Sequence, residues 1–400
     1  MRRRGSCYKK RNVLESELIM RTVKFGIIGC GLMGREFASA AARWCHLPKM
    51  DVRPEIVAVC DSNEKVMQWY SDNFSSVKMV TSDYKELLGN EDVEAVYIAV
   101  PHNLHAEFYC AAIEAGKHLL GEKPFGIDMA ANEQINDCIA KHPDVFVRCS
   151  SESVFFPAMQ RIGKMIEGNA FGQIIEVNSG FLHSSDLDTS KGINWKRKLK
   201  YNGEYGCMGD LGMHACHVPF RAGYRVKNVR AVLSDLVKQR PDGKGGMADC
   251  QTWDNATLFC EAVDGVHEGA FPMTIKTQRI SPGHTNTWYL EILGMKASAK
   301  WSSKQINTLE VLEYDGGEQG WRVIDMGHQM AYDSITGGIF EAGFSDSILQ
   351  MWAGFLYELE HGQAISKFAG CVMPVEAAMS HRLFTAALES QAGCCVVEID

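Results

Sequence analysis

Three glycines near the start of the chain stand at the spacing of a phosphate-binding turn. Gly29, Gly31 and Gly34 form the pattern G-x-G-x-x-G, with Leu32 and Met33 between the last two. The first glycine allows a tight turn, the second lets the backbone approach a pyrophosphate, and the third lets a helix pack against a strand. Amide groups at the start of the next helix would face the phosphate oxygens. A glycine-rich loop without a ligand is the alternative, but a strand before the turn and a helix after it favour a dinucleotide.

An acidic residue after the second apolar run indicates which dinucleotide is bound. Asp61 follows Gly34 by 27 residues, a longer spacing than usual, and residues 46–54 resemble a loop insertion that explains it. A carboxylate at this place accepts both ribose hydroxyls of adenosine and repels a 2′-phosphate. Ser62 and Asn63 follow, with no arginine to offset that repulsion. The sequence therefore favours NAD over NADP, and a helix N-cap at Asp61 is the alternative.

Two further segments hold side chains suited to the oxidation of an alcohol. Glu122, Lys123 and Pro124 lie between a predicted strand and a predicted helix, and Asp210 and His214 are four residues apart. On a helix this spacing places both side chains on one face. Oxidation of a secondary alcohol needs a base for the hydroxyl proton, which a histidine supplies, and a cation for the alkoxide, which a lysine supplies. Taken alone, the lysine could be a surface residue and the aspartate a helix N-cap.

The elements that position these residues fall into two domains. Apolar runs alternate with helical segments through about residue 150, which predicts a doubly wound parallel sheet, an α/β Rossmann domain over residues 21–150. Residues 151–400 carry longer strands without helices between them, which predicts an α+β domain with an open, mostly antiparallel sheet. Two amphipathic helices are predicted over 345–361 and about 375–390. Residues 1–20 are a basic extension without the apolar core of a secretory signal.

Taken together, the motifs resemble those of one oxidoreductase family. They are the glycine-rich turn, Val100-Pro101 with Asn103 and His105, the sequence GEKP at 121–124, D-x-G-x-H at 210–214, and the closing segment EAAMSHRLFTAALES at 376–390. The chain resembles the glucose–fructose oxidoreductase, inositol dehydrogenase and rhizopine-catabolism (Gfo/Idh/MocA) family over residues 22–400. GEKP combined with D-x-G-x-H is the most specific part of the resemblance.

The resemblance implies a role for each matching residue. Lys123 would lie near the nicotinamide and hydrogen-bond the reacting hydroxyl, and a cis peptide at Pro124 would turn it into the cleft. His214 would be the proton acceptor, with Asp210 as its partner in the substrate pocket. The residues implied on the cofactor side, besides the glycine-rich turn and Asp61, are Pro101, Asn103, His105, Glu122, Lys123 and Trp195. The residues expected to face the substrate are Lys123, Glu152, Asp210, His214 and His217.

Some of these positions have more than one interpretation. Glu152 could bind sugar hydroxyls or be a solvated acid at a strand end. Asp210, His214 and His217 could present one helix face to zinc, but three ligands on one helix rarely complete a site, so we expect no metal. Many family members have an arginine where this chain has Val154, so the role of that arginine has no counterpart at this position.

Composition narrows the classes of function. The net charge of −8 means that the chain has no excess of basic residues with which to bind nucleic acid. No apolar run is long enough to cross a bilayer. The 14 cysteines, without a Cys-x-x-Cys pair, indicate reduced thiols in a cytoplasmic protein.

The predicted function is hydride transfer between NAD and a secondary hydroxyl or ketone of a sugar, glycoside or cyclitol, the substrate class being implied by the resemblance. A redox-neutral enzyme that retains NAD is one alternative, and a non-catalytic NAD-binding regulator is another, although the latter would be expected to lack Lys123 or His214. An open sheet face with many apolar positions would favour a homodimer or homotetramer.

Overall fold

The computed structural model describes residues 20–327, 330–337, 339–340 and 342–399. The predicted extension over residues 1–20 therefore lies outside the described residues, except for Met20. Within the described part of the chain, no helix combines the length and the apolar character that crossing a membrane requires.

The first domain is a six-stranded parallel sheet in the order β3-β2-β1-β4-β5-β6. Its strands are β1 (Arg21–Ile28), β2 (Val52–Cys60), β3 (Met79–Thr81), β4 (Ala95–Ile98), β5 (His118–Gly121) and β6 (Val147–Cys149). Between them run α1 (Leu32–Ala42), α2 (Glu64–Asn73), α3 (Tyr84–Leu88), α4 (His105–Glu114) and α5 (Met129–Lys141). The sheet buries apolar side chains on both faces, which confirms the predicted doubly wound architecture. The strand order reverses between β1 and β4, and ligands bind at such a switch point.

The second domain is built on a nine-stranded sheet in the order β16-β15-β14-β13-β7-β12-β11-β8-β17. Its strands are β7 (Ile174–His183), β8 (Arg225–Ser234), β11 (Asn255–Val263), β12 (Phe271–Gln278), β13 (Asn286–Gly294), β14 (Ala297–Ser302), β15 (Thr308–Glu313), β16 (Arg322–Asp325) and β17 (Val397–Glu398). A separate hairpin pairs β9 (Gln239–Pro241) with β10 (Met247–Asp249). The sheet is mostly antiparallel, as predicted, and β7 and β12 form a parallel pair within it.

Among the residues that the structure describes, five α-helices accompany this sheet: α6 (Pro157–Glu167), α7 (Leu199–Asn202), α8 (Met213–Ala222), α9 (Phe344–His361) and α10 (Pro374–Gly393). The structure corrects the prediction that Asp210 and His214 share one regular helix face. Asp210 lies in a π-helical turn, Met208–Gly212, and His214 lies in the first turn of α8. Such wide turns are rare and occur frequently at functional sites.

The two domains share one apolar core because α9 packs against the first domain. Trp352 of α9 is 1% exposed and stacks on Phe37 of α1 with ring centroids 3.5 Å apart. Phe25 of β1 meets the edge of the same indole, at 5.6 Å. The helix therefore belongs to the second domain in sequence but covers the sheet of the first.

The outer face of the nine-stranded sheet differs from the apolar surface that we expected. Asn178, Glu291, Lys300 and Glu310 stand opposite one another on β7, β13, β14 and β15 and form a polar ladder. Asn178 donates to Glu291 over 3.1 Å, and Lys300 pairs with Glu310 at 3.1 Å. Cross-strand polar pairs of this kind stabilise a solvent-facing sheet surface. The centre of this face is therefore polar and can remain exposed to solvent.

Candidate active site

The glycine-rich turn follows β1, and two of its three glycines are required by close approaches of the backbone. Gly29 has φ +97°, and a Cβ there would lie 2.2 Å from the carbonyl oxygen of Ala99, just after β4. A Cβ on Gly34 would lie 2.4 Å from the carbonyl oxygen of Gly29. A Cβ on Gly31 would meet nothing within 4 Å, so this position faces open space. Gly31 is also the N-cap of α1 and offers no side-chain acceptor to the first amides of that helix.

Asp61 accepts a hydrogen bond from the backbone of the glycine-rich turn. Its Oδ2 accepts a hydrogen bond from the Cys30 amide at 2.8 Å, and its Oδ1 accepts one from the Asn63 amide at 2.8 Å. The N-cap of α2 is Asn63, whose side chain accepts from the Lys65 amide, so the N-cap interpretation of Asp61 is wrong. The ribose-binding role of Asp61 stays a prediction.

A cavity of about 450 Å³ lies between the two domains at the carboxyl ends of β1 and β4. Most of the predicted site residues line it: Gly31, Leu32, Met33, Pro101, Glu122, Lys123, Glu152, Trp195, Asp210 and His214. The peptide between Lys123 and Pro124 is cis, as the resemblance implied. The volume is in the range of small-molecule sites.

Lys123 is anchored by Asp210 at two points. Its Nζ donates to the Asp210 carbonyl oxygen at 2.7 Å and to Oδ1 at 3.1 Å. Burial alone would lower the pKa of Lys123, but Asp210 and Glu122 raise it above the ordinary lysine value. The amine is therefore a fixed cation at the wall of the cavity.

Asp210 is surrounded by three cations. Besides Lys123, Lys196 Nζ lies 2.9 Å and 3.0 Å from its two carboxylate oxygens, and Arg279 Nη2 donates to Oδ2 at 2.6 Å. Burial would raise the pKa of Asp210, but Arg279, Lys123 and Lys196 hold it well below its usual range. Asp210 thus stays ionised and holds the two lysines in place. No local signal in the sequence pointed to Arg279, which follows β12.

His214 lies against an aromatic wall of the cavity. Its ring stacks on Trp288 with centroids 5.3 Å apart and planes 22° apart, and Phe181 meets its edge at 5.5 Å. Its Nδ1 lies 2.9 Å from Ser151 Oγ and 3.8 Å from Glu152 Oε2. Burial and the nearby Lys123 hold the pKa of His214 well below its ordinary value, so the ring is neutral.

Glu152 is a buried acid and not the solvated strand-end residue that sequence analysis left open. It is 5% exposed and lines the cavity beside His214 and Lys123. Burial raises the pKa of its carboxyl to about 7, with a further contribution from Glu122. Glu122 itself accepts hydrogen bonds from Tyr97 and Ser150, both at 2.6 Å. Glu152 is therefore a group whose charge changes near neutral pH.

Six predicted residues do not line the cavity: Gly29, Gly34 and Asp61 in or behind the glycine-rich turn, and Asn103, His105 and His217. His105 is fully buried, and its two ring nitrogens lie 2.6 Å from the Pro124 carbonyl and 3.0 Å from the Val100 carbonyl. Burial lowers the pKa of His105 to about 4, so the neutral ring donates once, and we assign that bond to the shorter contact, with Pro124. This residue supports the turn that carries Lys123 and does not reach a ligand directly.

His217 lies behind His214, with Nδ1 facing Ser153. Its side chain does not converge with those of Asp210 and His214, and the described residues contain no group of three or more potential metal-binding side chains. The zinc interpretation of these three residues therefore finds no support in the described part of the chain.

The turn after β1 fits a dinucleotide. The first amides of α1 have no side-chain cap, and Gly31 leaves open space beside them. Helix N-termini of this kind bind phosphate. Pro101, Glu122 and Trp195 line the same cavity as Gly31, and their contact with a nicotinamide stays a prediction.

Comparison with known proteins agrees with this geometry. Residues 23–148 match the family model described as oxidoreductase family, NAD-binding Rossmann fold (GFO_IDH_MocA). Levoglucosan dehydrogenase of Pseudarthrobacter phenanthrenivorans is 27% identical over 231 residues, which are 57% of this chain and 58% of that protein. Glucose-6-phosphate 3-dehydrogenase of Bacillus subtilis is 23% identical over 293 residues, 72% of this chain and 77% of that protein. The matched regions span 58% and 57% of the lengths of the first two curated relatives.

Among solved structures, levoglucosan dehydrogenase in complex with NADH and L-sorbose superposes with a TM-score of 0.85. The match covers 95% of this chain and 100% of that chain at 22% sequence identity. It establishes the fold of both domains.

Proposed function

Because residues 23–148 match the Gfo/Idh/MocA oxidoreductase family model, we propose that this chain belongs to that family and is an NAD-dependent dehydrogenase of secondary hydroxyl groups. The substrate class is a sugar, glycoside or cyclitol, which is oxidised to the ketone or formed from it. The observation that carries the proposal is the convergence of the Lys123 cation, the His214 ring and the open face of Gly31 on one cavity of about 450 Å³.

NAD would be held by the glycine-rich turn at its pyrophosphate and by Asp61 at its adenosine ribose. When bound, its nicotinamide supplies the acceptor or donor of a hydride. Pro101, Glu122 and Trp195, which line the same cavity, would form the wall beside that ring. The Asp61 carboxylate, with no basic residue beside it at Ser62, favours NAD over NADP.

Lys123 stabilises the negative charge that develops on the reacting oxygen. Its ammonium group is held by Asp210 before the substrate arrives, so little reorganisation is needed when charge appears. His214 supplies the second hydrogen-bonding group at that oxygen, as an acid or a base. Asp210 acts through both lysines, since it fixes Lys123 and Lys196 in the cavity wall.

The lining of the cavity supports a polyol substrate. Aromatic rings of Phe181, Trp195, Trp288 and Phe344 offer apolar surface, and a few charged groups stand between them. Apolar walls with a small number of placed polar groups are typical of sites that recognise one orientation of a small ligand. The named activity of the relative that acts on levoglucosan, an anhydro sugar, belongs to the same class.

The experiment is NADH formation, measured by absorbance, with levoglucosan, inositols, aldoses, sugar acids and aryl glycosides. We expect turnover with NAD and little with NADP. Lys123→Met should lower kcat/KM by roughly 10²–10³, the effect of removing one group that stabilises the oxyanion, and leave NAD affinity within a few-fold. Lys200→Met, at an exposed lysine of α7, is the matched control. Normal turnover in Lys123→Met would overturn the assignment of the site.

Two further proposals concern the state of the protein. We expect a homodimer or homotetramer, and the exposed side chains of Val232 on β8 and Phe259 on β11 are its first candidate contact. Equilibrium sedimentation of the protein and of Phe259→Glu tests this, and an unchanged mass would exclude Phe259 from the contact. We also expect a cytoplasmic protein, since thirteen cysteines in the described part of the chain are free thiols.

A further inference from the structure

The segment between β7 and α7, residues 184–198, brings Trp195 and Lys196 to the cavity. The structure describes this whole segment, and its one regular element is the three-residue turn Trp195–Arg197. A segment with so little regular structure opens easily unless tertiary contacts hold it. The contacts that hold this one come from charged side chains buried behind it.

Arg197 ties the turn to the interior of the protein. Lys196 lines the cavity, whereas Arg197, the next residue, is fully buried and does not line it. The Arg197 guanidinium group is paired through Nη2 with Asp254 Oδ1, and its Nη1 lies 3.4 Å from Asp186 Oδ2. Asp254 is itself fixed, since its Oδ2 accepts a hydrogen bond from the Val237 amide at 2.9 Å. The position of the turn therefore depends on buried ion pairs.

Asp186 lies between two guanidinium groups. Its Oδ2 is 3.4 Å from Arg197 Nη1 and 3.8 Å from Arg279 Nη1. Its backbone amide donates to the Arg279 carbonyl oxygen at 3.2 Å. Arg279 in turn donates from Nη2 to Asp210 Oδ2. One buried carboxylate thus stands between the arginine that holds the turn and an arginine that holds Asp210.

Arg240 of β9 fixes the place of the Asp186 carboxylate through the backbone of the segment. Its Nη2 donates to the Asp186 carbonyl oxygen, and its Nη1 donates to the Asp188 carbonyl oxygen at 2.8 Å. Arg240 and the side chain of Asp186 are both buried. Charges in such surroundings interact more strongly than exposed pairs, because less water screens them. The group is therefore held more firmly than ion pairs at the surface.

Five buried side chains form this group, which we call the arginine–aspartate cluster: Asp186, Arg197, Arg240, Asp254 and Arg279. We propose that the cluster holds Trp195 and Lys196 in a fixed position relative to Asp210, and that Asp186 joins the two parts. Lys196 Nζ lies 2.9 Å and 3.0 Å from the Asp210 carboxylate oxygens, so a shift of the turn disturbs the carboxylate that holds Lys123. No member of the cluster lines the cavity, so all five are positioning residues. Their effect on catalysis rests on the proposed function.

Asp186→Asn is the change that loosens this junction with the least damage to the fold. Arg197 keeps its pair with Asp254, and Arg279 keeps its pair with Asp210. Loss of a buried partner is most costly where it leaves a charge without any counter-ion, and neither arginine is left in that state. The asparagine has nearly the same size as the aspartate, but the two guanidinium groups lose the anion between them.

Hydrogen exchange of the full-length protein, followed by mass spectrometry, tests the proposal without turnover. In Asp186→Asn we expect peptides from residues 184–198 to exchange faster by at least about fivefold, and those from α1 to be unchanged. Asp188→Asn is the matched control and should exchange like the wild type. Asp188 is exposed, and among the described residues its carboxylate accepts hydrogen bonds from Ser190 alone. Unchanged exchange in Asp186→Asn, or a uniform increase over both domains, would overturn the proposal.

Kinetics with levoglucosan, or with the panel sugar that turns over fastest, separate positioning from loss of folded protein. In Asp186→Asn we expect kcat/KM for the sugar to fall about tenfold, partly through a higher KM, because Lys196 and Asp210 are misplaced. Loss of folded protein would lower kcat alone. NAD affinity should be unchanged, since the glycine-rich turn is not touched.

A double variant tests whether Asp186 acts through Lys196. Asp186→Asn should cost less in Lys196→Met than in the wild type, because both changes disturb the same contact with Asp210. Equal costs in the two backgrounds would overturn the proposal. If no sugar is turned over, the proposed function fails, and hydrogen exchange still decides the role of the cluster.

Discussion

At the scale of single residues, Glu152 is the side chain whose charge is most sensitive to conditions. Its carboxyl is enclosed by the cavity wall, and burial raises its pKa to about 7. Lys123 and Asp210, by contrast, keep their charges, because each is stabilised by an opposite charge within 3.1 Å. Two buried carboxylates in one site therefore have separate roles: Asp210 stays ionised and positions cations, and Glu152 can exchange a proton.

This difference predicts the pH dependence of oxidation. A proton can leave the site onto Glu152 only when this carboxyl is ionised, so kcat/KM for oxidation of the alcohol should rise with pH through about 7 and level off above it. Glu152→Gln should be slow and should lose this rising limb. Glu114→Gln, at an exposed acid of α4, should keep the wild-type profile. An unchanged rising limb in Glu152→Gln would assign the titration to another group.

Cofactor choice is also decided by single residues. Asp61 contacts the turn through both carboxylate oxygens and leaves further lone pairs for the ribose hydroxyls. Asp61→Ser combined with Ser62→Arg removes the negative charge and adds a cation for a 2′-phosphate. We expect the ratio of kcat/KM for NAD to that for NADP to fall by at least about tenfold. Unchanged preference would place the ribose elsewhere.

At the scale of elements, the π-helical turn before α8 brings three distant segments to one carboxylate. Lys123 follows β5, Lys196 lies in the turn Trp195–Arg197, and Arg279 follows β12. The D-x-G-x-H pattern made Asp210 predictable as a site residue. Its cation partner Arg279 was not predictable, because their contact depends on the register of a strand about seventy residues further along the chain.

Removal of the charge of Asp210 should destabilise the protein as well as impair catalysis. Asp210→Asn leaves Lys123, Lys196 and Arg279 close together without their shared anion. Loss of one partner of such a buried pair costs about 3–5 kcal/mol. Urea unfolding followed by tryptophan fluorescence measures this. Asp235→Asn, which breaks an exposed pair with Lys238, should change stability little. Equal effects of the two variants would contradict the importance of the buried network.

At the scale of the whole molecule, a helix that follows the second sheet in sequence packs on the first sheet in space. The predicted boundary near residue 150 separates two sheets, and the alternation of strands and helices was enough to predict the first of them. The docking of α9 on that first sheet was not predictable. An amphipathic stripe shows that a helix is covered on one side, but the partner surface is set by the tertiary fold.

Trp352 tests this docking. It is 1% exposed and stacked between the two domains on Phe37. Trp352→Ala should lower the free energy of unfolding by roughly 3–5 kcal/mol, the usual cost of removing a large buried aromatic side chain. Trp321→Ala, at a position that is 36% exposed, is the control and should have a small effect. Similar effects of the two variants would mean that α9 is not part of the shared core.

The central claim is that this protein moves a hydride between a sugar carbon and NAD. We would incubate the purified protein with NAD and ring-deuterated anhydro sugars, aldoses and inositols, and measure deuterium in the nicotinamide by mass spectrometry. The account predicts deuterium in released NADH for at least one sugar, and its loss in Lys123→Met. Deuterium only in protein-bound nicotinamide would identify a redox-neutral enzyme. No transfer from any sugar to a protein that binds NAD would contradict the account and indicate a regulator.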